Sequence, residues 1–359
     1  MVYNVIGLMS GSSLDGLDIA YVRLEEVRGK WEYAIEQTRC VPYPTEWVTH
    51  LRQAARLSVG DFLKLHTAYG RYTGETVKAF MDDHDLEHKV HFIASHGHTV
   101  FHEPGSRTTF QLGDGATIAS VTGLPVICDL RAMDVALGGQ GAPIVPIGDR
   151  MLFSGYDYLL NIGGIANVTV QGPNGSYAYD ICPANQALNA LAHRLGKTMD
   201  EGGELAAAGN YLPDVDAALR GAEYYRRTPP KSLSNQEAVA IAIRAIEDQQ
   251  HDVKDLLHTM TVHIAGRIAA AIHQTPVTNP APQMLITGGG AFNTFLTEEI
   301  KKQLLGAVSV IVPDDEVVMY KEALIMALIG ALRWREEVNV LSGVTGAERD
   351  SSGGAIWLP

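Results

Sequence analysis

The chain has 359 residues, a formal net charge of −13 and three cysteines, and these properties limit its class. Its length exceeds that of one ordinary hydrophobic core, so two domains are expected. The acidic charge, without a basic stripe, argues against nucleic acid as the main partner. The sequence has neither a basic leader nor an apolar stretch long enough for a bilayer, which predicts a cytoplasmic protein that does not bind membranes.

The chain starts with an apolar strand, a turn rich in glycine and serine, and a second apolar strand. Residues 3–8 and 19–24 are the strands, and the turn between them reads Met-Ser-Gly-Ser-Ser-Leu-Asp-Gly. Small residues let backbone N–H groups approach a ligand, while Asp15 and Asp18 are oxygen donors suited to a divalent cation. The turn therefore predicts a phosphate site, and a hairpin without a ligand is the alternative.

Two later segments repeat the pattern of a strand that enters a glycine turn. Residues 158–170 form strand, turn and strand around Gly163 and Gly164, and residues 284–293 run into a triple-glycine turn. The first repeat predicts two similar halves. The triple-glycine turn has a bare backbone against which a flat ring can pack.

The elements between these turns alternate between helix and strand, which predicts an α/β fold. Ser234 and Glu237 have the spacing of a capping box. The Gly- and Ser-rich tail, residues 344–354, is expected to be mobile. The predicted helices lie at residues 61–83, 114–122, 186–195, 238–247, 252–274, 294–305 and 321–337, and further strands at 91–94, 126–129, 176–179 and 308–312.

Asp180 is the strongest candidate for a catalytic carboxylate. It follows the strand at 176–179 and precedes a turn with Pro183. Ligands of open α/β sheets bind at the carboxyl ends of strands, which is where Asp180 is expected. The alternative is a helix N-cap or an Asx turn, which requires only the side-chain oxygen.

Taken together, these blocks resemble the anhydro-N-acetylmuramic acid kinases of the sugar kinase, Hsp70 and actin superfamily. The resemblance covers nearly the whole chain, with matching blocks at residues 7–18, 95–102, 111–115, 129–131, 138–143, 161–167, 229–232 and 287–290. It implies an α/β fold of two related ribonuclease H-like (actin-like ATPase) domains with a nucleotide cleft between them. The expected domains are residues 1–135 plus about 335–359, and residues 136–334.

The resemblance also implies the reaction. An ATP-dependent phosphotransferase with an alcohol acceptor would hydrolyse the 1,6-anhydro bridge of 1,6-anhydro-N-acetylmuramic acid and phosphorylate O6, giving N-acetylmuramic acid 6-phosphate in cell-wall sugar recycling. ATP and Mg²⁺ are the implied cofactors, an amino sugar is the implied substrate, and a homodimer is expected. Two alternatives stay open: a kinase of the same fold for another sugar or small acid, and a non-catalytic ATP-binding switch.

The resemblance assigns roles to individual residues. It makes Asp180 the general base, and Glu322 matches a family acid, although an ordinary acid in the first turn of a helix is the alternative. Asp15 and Asp18 are assigned to the metal, directly or through water. The residues assigned to ATP and its phosphates are Gly11, Ser12, Ser13, Leu14, Asp15, Gly16, Leu17, Asp18, Gly163, Gly164, Gly288, Gly289 and Gly290.

The sugar is assigned to Arg131, His96, His98 and Asn185. An arginine can bind the lactyl carboxylate of muramic acid with two parallel hydrogen bonds. The alternative for Arg131 is an ion pair with a neighbouring aspartate, either Asp129 or Asp134. The histidines suit sugar hydroxyls better than zinc, because no third ligand lies at a typical spacing.

The chain departs from the usual sequence of the family at three places. Residues 181–184 read Ile-Cys-Pro-Ala where Thr-Gly-Pro-Gly is usual, so fewer donors and less room are expected near the ligand. His98 replaces a glutamine, and an imidazole can supply one of the hydrogen bonds of an amide. Ser12 replaces a threonine.

Overall fold

The computed structural model describes residues 1–11, 13–172, 175–229, 231–248 and 250–359. Ser12, which the resemblance assigns to phosphate, lies outside the described residues, as does Pro230 of the 229–232 block. The chain divides into two compact units, Met1–Phe153 with Tyr320–Pro359, and Ser154–Met319. Within the described ranges, every helix is too short or too polar to traverse a lipid bilayer.

The first unit begins with strands and helices that alternate after an initial three-stranded meander. These elements are β1 (Val2–Ser10), β2 (Gly16–Val27), β3 (Lys30–Pro42), α1 (Thr45–Gln53), α2 (Val59–Asp83), β4 (Phe92–Glu103), β5 (Thr108–Leu112), α3 (Gly115–Thr122), β6 (Val126–Cys128), α4 (Ala132–Ala136) and α5 (Pro146–Leu152).

The second unit repeats the meander and then becomes mainly helical. Its elements are β7 (Tyr158–Ile162), β8 (Ile165–Gly172), β9 (Gly175–Pro183), α6 (Asn185–His193), α7 (Glu204–Ala207), α8 (Pro213–Arg220), α9 (Asn235–Ile246), α10 (Val253–Gln274), β10 (Gln283–Thr287), α11 (Thr294–Gln303) and β11 (Ser309–Ile311). The chain returns to the first unit through α12 (Asp315–Trp334) and ends with α13 (Ser342–Thr345) and β12 (Ala355–Trp357).

The sheets of the two units share one strand order. In the first, β3, β2 and β1 are antiparallel neighbours, and β4 and β6 follow β1 in parallel. In the second, β9, β8 and β7 are antiparallel, and β10 and β11 follow β7 in parallel. This correspondence confirms the prediction of an α/β fold with two similar halves.

Local sequence explains where several helices begin. A side-chain oxygen at the N-cap accepts a hydrogen bond from the first turn of α2, α3, α9, α10 and α11, which satisfies a backbone N–H that the helix leaves unpaired. Ser234 and Glu237 form the predicted capping box at α9. The N-cap residues are Ser58, Asp114, Ser234, Asp252 and Asn293.

The boundary between the units differs from the expected one, because residues 136–153 and 320–334 belong to the first unit. Two contacts explain the assignment. Gly7 of β1 lies so close to α12 that a Cβ there would stand 1.9 Å from the carbonyl oxygen of Ala323. On α5, the carboxylate of Asp149 pairs with the ammonium of Lys321 at 2.7 Å. Both contacts join segments that are distant in sequence.

The C-terminal tail forms specific contacts instead of the expected mobile segment. β12 pairs antiparallel with β6, and Ser351 pairs with Val340. The backbone N–H of Gly353 donates to Oδ1 of the buried Asn339 at 2.7 Å. Glycine and serine were therefore poor indicators of disorder, because here they close turns next to a sheet edge.

Candidate active-site residues

The turn between β1 and β2 holds the predicted phosphate-binding residues in a tight backbone. Leu14 has φ +62°, and its N–H donates to the carbonyl oxygen of Gly11 at 3.4 Å. The hydroxyl of Ser13 donates to the carboxylate of Asp15. Glycine is required at Gly16, since a Cβ there would lie 2.6 Å from a carbonyl oxygen of β3. The turn thus exposes hydroxyl and carboxylate groups, while its backbone at Gly16 packs closely against β3.

Asp18 lies on β2 directly opposite Cys40 of β3. Burial raises the pKa of Asp18 to about 6, the negative charges of Asp15 and Glu322 add to this effect, and a hydrogen bond with the Cys40 thiol opposes it. A divalent cation would relieve this repulsion, and carboxylate oxygens are ligands that Mg²⁺ accepts while it retains waters. The described residues contain no set of three side chains arranged to hold a metal by themselves. The two aspartates therefore fit Mg²⁺ only together with phosphate or water oxygens.

His96 and Arg131 form a buried pair in the first unit. Nε of Arg131 donates to Nε2 of His96 at 2.8 Å, and Nδ1 of His96 donates to the carbonyl oxygen of Gly97 at 2.8 Å. Burial and the adjacent guanidinium lower the pKa of His96 to about 3, so the imidazole is neutral. The pair fixes one edge of the guanidinium.

The other edge of Arg131 is partly available. One Nη atom donates to the carbonyl oxygen of Gly141, while Nη2 has no hydrogen bond to the described residues. The alternative ion pairs with Asp129 and Asp134 are not formed within the described part of the chain. Asp134 instead accepts from the N–H of Gly141 at 2.7 Å and from a threonine hydroxyl. Nη2 of Arg131 can therefore bind an added carboxylate.

His98 is anchored at the base of the first turn. Its Nδ1 bonds the hydroxyl of Ser10 at 3.0 Å, and the hydroxyl of Tyr43 donates to the same oxygen at 2.7 Å. When Ser10 donates its own proton to Nδ1, Nε2 of the neutral imidazole is a donor. Burial lowers the pKa of His98, in agreement with the neutral form.

Glu322 lies on α12 just after Tyr320, where the backbone leaves helical geometry (φ −116°, ψ 15°). Its side chain is exposed, yet desolvation by the surrounding protein raises its pKa, while Arg131 and Lys321 oppose the rise. The preceding Lys321 is buried against Asp149 and lies 5.1 Å from the ring centroid of Phe153. This anchored lysine fixes the backbone that carries Glu322.

In the second unit the predicted glycines and Asn185 lie together. The N–H of Asn185 donates to the carbonyl oxygen of Gly163 at 3.0 Å, and its Nδ2 donates to that of Ile162 at 3.1 Å. A Cβ on Gly290 would stand 2.2 Å from Cγ2 of Ile162. Gly288 has φ +80°, and a Cβ there would lie 2.5 Å from the side chain of Asn161. The triple-glycine turn therefore packs directly against the turn between β7 and β8.

Asp180 lies near the end of β9 and does not cap a helix. The N-cap position of α6 is Ala184. Oδ2 of Asp180 accepts hydrogen bonds from the N–H of Leu233 at 2.8 Å and from the hydroxyl of Ser232 at 3.3 Å. Burial raises the pKa of Asp180, and these two bonds oppose the rise. Oδ1 has no hydrogen bond to the described residues, so one carboxylate oxygen is held and the other is available.

The backbone of Asp180 is held by the same segment of the chain. Its N–H donates to the carbonyl oxygen of Lys231 at 3.0 Å, and its carbonyl oxygen accepts from the hydroxyl of Tyr224 at 2.7 Å. We call residues 224–229 and 231–233 the Asp180-holding segment. The sequence analysis did not predict the role of this segment, although residues 229–232 match the family and had been assigned no function.

The departures at residues 181–184 do not crowd this site. Ile181 is 3 % exposed, and Cys182 and Ala184 are fully buried in the core of the second unit. Burial raises the pKa of the Cys182 thiol to about 12, so this cysteine is unreactive. The expected loss of room near a ligand is not observed, because these side chains point into the core.

The family model and the curated relatives agree on one family. A family model described as anhydro-N-acetylmuramic acid kinase matches residues 3–359. A relative of that description from Francisella tularensis subsp. novicida is 32 % identical over 96 % of this chain and 95 % of its own length. Another from Salinibacter ruber is 34 % identical over 99 % and 96 %. Among solved structures, (R)-2-hydroxyglutaryl-CoA dehydratase component A of Acidaminococcus fermentans aligns over 91 % of this chain and 96 % of its own, with a TM-score of 0.48 and 15 % identity, which is too distant to carry an argument.

Proposed function

We propose the function of this chain from one premise: the chain belongs to the anhydro-N-acetylmuramic acid kinase family. It is an ATP-dependent kinase that opens the 1,6-anhydro bridge of 1,6-anhydro-N-acetylmuramic acid and phosphorylates O6. The product is N-acetylmuramic acid 6-phosphate, an intermediate of peptidoglycan recycling. The observation that carries the proposal is the family match over residues 3–359, and the geometry of Asp180 supports the catalytic step.

Asp180 is the proposed general base. Its Oδ2 is occupied by Leu233 and Ser232, so Oδ1 takes the proton of the attacking water. The water oxygen bonds to the anomeric carbon C1, and the C1–O6 bond breaks with its electron pair on O6. A pKa raised by burial makes the carboxylate a better base.

The departing O6 then attacks the γ-phosphorus of ATP. The bond from that phosphorus to the bridging oxygen of ADP breaks, so the charge that forms on O6 is transferred to the phosphate groups. Glu322 is the candidate that donates a proton to O6 as the C1–O6 bond breaks and takes it back as O6 bonds to phosphorus, since its own pKa is also raised. The proton on Asp180 returns to solvent after the product leaves.

The nucleotide is assigned to the three glycine-rich turns. The N–H groups and hydroxyls of the first turn, Gly11 to Asp18, bind phosphate oxygens, and Gly163 with Gly164 supply further backbone donors. The triple glycine, Gly288 to Gly290, leaves a bare backbone for the adenosine. Asp15 and Asp18 would hold Mg²⁺ through water, and the ion would neutralise phosphate charge.

The sugar is assigned to four polar side chains. Nη2 of Arg131 binds the lactyl carboxylate, because His96 and Gly141 already orient the rest of the guanidinium. Nε2 of His98 and Oδ1 of Asn185 bond sugar hydroxyls or the acetamido group. We also propose a homodimer in the cytoplasm, which rests on the family alone and is tested by light scattering of the purified protein.

Turnover in ¹⁸O-water tests the proposed reaction. With ATP, Mg²⁺ and the anhydro sugar, we expect phosphorylated product with the label at C1, and ordinary N-acetylmuramic acid serves as the control acceptor. Product without label would refute the coupled hydrolysis and favour a kinase that acts on a free hydroxyl. No turnover with any acceptor, together with ATP binding, would favour the switch alternative.

The Asp180→Asn variant tests the assignment of the base. General bases contribute about 10² to 10⁴ in rate, so kcat should fall by at least about 10²-fold. The dissociation constant for ATP, measured by calorimetry, should stay within about threefold of the wild type, because the assigned ATP residues are unchanged. A variant that retains wild-type turnover would show that another group removes the proton.

A further inference from the structure

A buried carboxylate and imidazole lie in the helical part of the second unit, and the proposed chemistry does not use them. Oδ1 of Asp216, on α8, bonds Nδ1 of His263, on α10, at 2.8 Å. Each residue is 2 % exposed. Oδ2 of Asp216 accepts from the hydroxyl of Tyr211 at 2.5 Å and from Nε of Arg220 at 2.6 Å. Both oxygens of this carboxylate are therefore engaged.

The protonation of the pair follows from these contacts. Burial lowers the pKa of His263, although Asp216 opposes this, and the guanidinium groups of Arg220 and Arg267 favour the neutral ring. Burial raises the pKa of Asp216, but the hydrogen bonds from His263, Tyr211 and Arg220 outweigh it and keep the carboxylate ionised. A neutral imidazole that donates from Nδ1 must accept at Nε2.

The acceptor at Nε2 is used by Tyr225. The hydroxyl of Tyr225 lies 3.1 Å from Nε2 of His263, so it donates to that atom. Arg267 covers the ring of Tyr225, with its Cζ 4.9 Å from the ring centroid. We call Asp216, His263 and Tyr225 the Asp216 chain, which ends in the Asp180-holding segment.

Tyr225, at the end of the Asp216 chain, is adjacent in sequence to a residue that contacts Asp180 directly. Tyr224, the neighbour of Tyr225, donates its hydroxyl to the carbonyl oxygen of Asp180 at 2.7 Å. The ammonium of Lys231 lies 4.5 Å from the ring centroid of Tyr224 and donates to its carbonyl oxygen at 3.3 Å. The carbonyl oxygen of Lys231 in turn accepts from the N–H of Asp180. The two ends of the segment are thus tied to each other and to the candidate base.

We propose that the Asp216 chain positions the carboxylate of Asp180, by fixing Tyr225 and so the register of the segment that supplies the hydrogen bonds to Asp180. This inference rests on the proposed role of Asp180 as the base. A small displacement of a catalytic group away from the chemistry can cost up to about 10²-fold in rate. Asp216, His263 and Tyr225 are therefore positioning residues that do not touch the substrate.

Two tyrosine variants separate positioning from a contribution to stability alone. Tyr225→Phe removes the hydroxyl that joins His263 to the Asp180-holding segment. Tyr211→Phe removes a hydroxyl bound to Oδ2 of the same Asp216, the oxygen that does not contact His263, so it is the matched control. Each change deletes one hydroxyl and leaves the ring in place.

In steady-state kinetics at pH 7.5, we expect Tyr225→Phe to lower kcat by about five- to tenfold. The KM for ATP should change by less than about twofold, since no assigned ATP residue is altered. Tyr211→Phe should keep wild-type kcat, and His263→Phe should reproduce the loss seen with Tyr225→Phe. Equal kcat in the two tyrosine variants, whether both normal or both lowered, would overturn the inference.

Titration of the Asp180 carboxyl gives a second readout that needs no turnover. With ¹³C-labelled aspartate and Asp180→Asn to assign the signal, the pKa of Asp180 should rise in Tyr225→Phe by about half a unit, because weaker hydrogen bonds from Ser232 and Leu233 stabilise the ionised form less. Tyr224 and Ser232, the groups that face this carboxylate, remain neutral over the titration. Tyr211→Phe should leave the pKa unchanged.

The two readouts also distinguish failure of the inference from failure of the proposed function. If the wild type does not phosphorylate the sugar but the pKa of Asp180 still moves in Tyr225→Phe alone, the positioning role stands and the assigned reaction is wrong. If the sugar is phosphorylated but neither kcat nor the pKa responds to Tyr225→Phe, the reaction stands and the positioning role is refuted.

Discussion

Replacement of Asp18 by asparagine should stabilise the protein and weaken its response to nucleotide. Asp18 is half-buried on β2, where burial and the charges of Asp15 and Glu322 disfavour its ionised form. Asparagine has nearly the same shape and no charge. The cost of the buried charge should therefore disappear in Asp18→Asn.

The size of the effect follows from the pKa of Asp18, which is 3.8 in an unfolded chain and about 6 in the folded protein. The folded protein binds the proton of Asp18 more tightly than the unfolded chain does. Protonation of Asp18 therefore stabilises the folded state fully below about pH 4, and this stabilisation is lost as the pH rises through about 6. A difference of about 2 in pKa corresponds to about 3 kcal/mol. Since Asp18 keeps some contact with water, we expect about half of this, ~1.5 kcal/mol.

The assay is urea denaturation at pH 8 and at pH 4.5. At pH 8, Asp18→Asn should unfold with a free energy about 1.5 kcal/mol above the wild type, and the difference should shrink to about 0.5 kcal/mol at pH 4.5. Glu32→Gln, at an exposed position of β3, is the control and should change the free energy by less than about 0.5 kcal/mol at both pH values.

Nucleotide reverses the order of stability. ATP with Mg²⁺ at about 100 times its dissociation constant should add about 2.7 kcal/mol to the wild type and clearly less to Asp18→Asn, which lacks a charge for the cation. A variant that is less stable than the wild type at pH 8, or a gain that does not depend on pH, would refute the reasoning about the buried charge.

Two further substitutions test packing near the candidate sites. Asp149→Leu should lower the free energy of unfolding by about 3–5 kcal/mol, because it leaves the buried Lys321 unpaired, whereas adding Lys321→Met should recover most of the loss in urea denaturation. Failure of the double variant to recover would mean that the shape of Asp149 matters more than its charge. Gly290→Ala should cost about 1–3 kcal/mol, since its Cβ would stand 2.2 Å from Ile162. Gly289→Ala, whose Cβ has its nearest contact at 3.7 Å, should cost much less, and equal losses would contradict the steric argument.

Much of the fold could be predicted from periodic signals in the sequence. The strand, glycine turn and strand around Gly11 and again around Gly163 predict two halves, and the strand order of both sheets agrees. These signals are local, because a turn with small residues between apolar runs is specified by a dozen neighbouring side chains. The clustering of Asn185 with Gly163 and Gly290 follows from the same local elements.

The remaining features depend on contacts between segments that are distant in sequence. The boundary near Tyr320 is set by Gly7 and Lys321, whose partners lie more than a hundred residues away. The hydrogen bonds of Asp180 come from Tyr224 and Ser232, across an interval with no periodic signal. Residues 181–184 were expected to leave fewer donors and less room near a ligand, because a position in a motif does not reveal which way a side chain faces.

The discontinuity of the first unit has a consequence for biosynthesis. Residues of the second unit are contiguous, Ser154–Met319, so they can fold as soon as they leave the ribosome. The first unit must wait for α12, which covers Gly7, and for β12, which covers the edge of β6. Until then, the nascent chain exposes an open sheet edge and an uncovered apolar face, which are features that chaperones bind and that favour aggregation. Truncation of the chain after Met319 should therefore leave a second unit that resists protease and a first unit that does not.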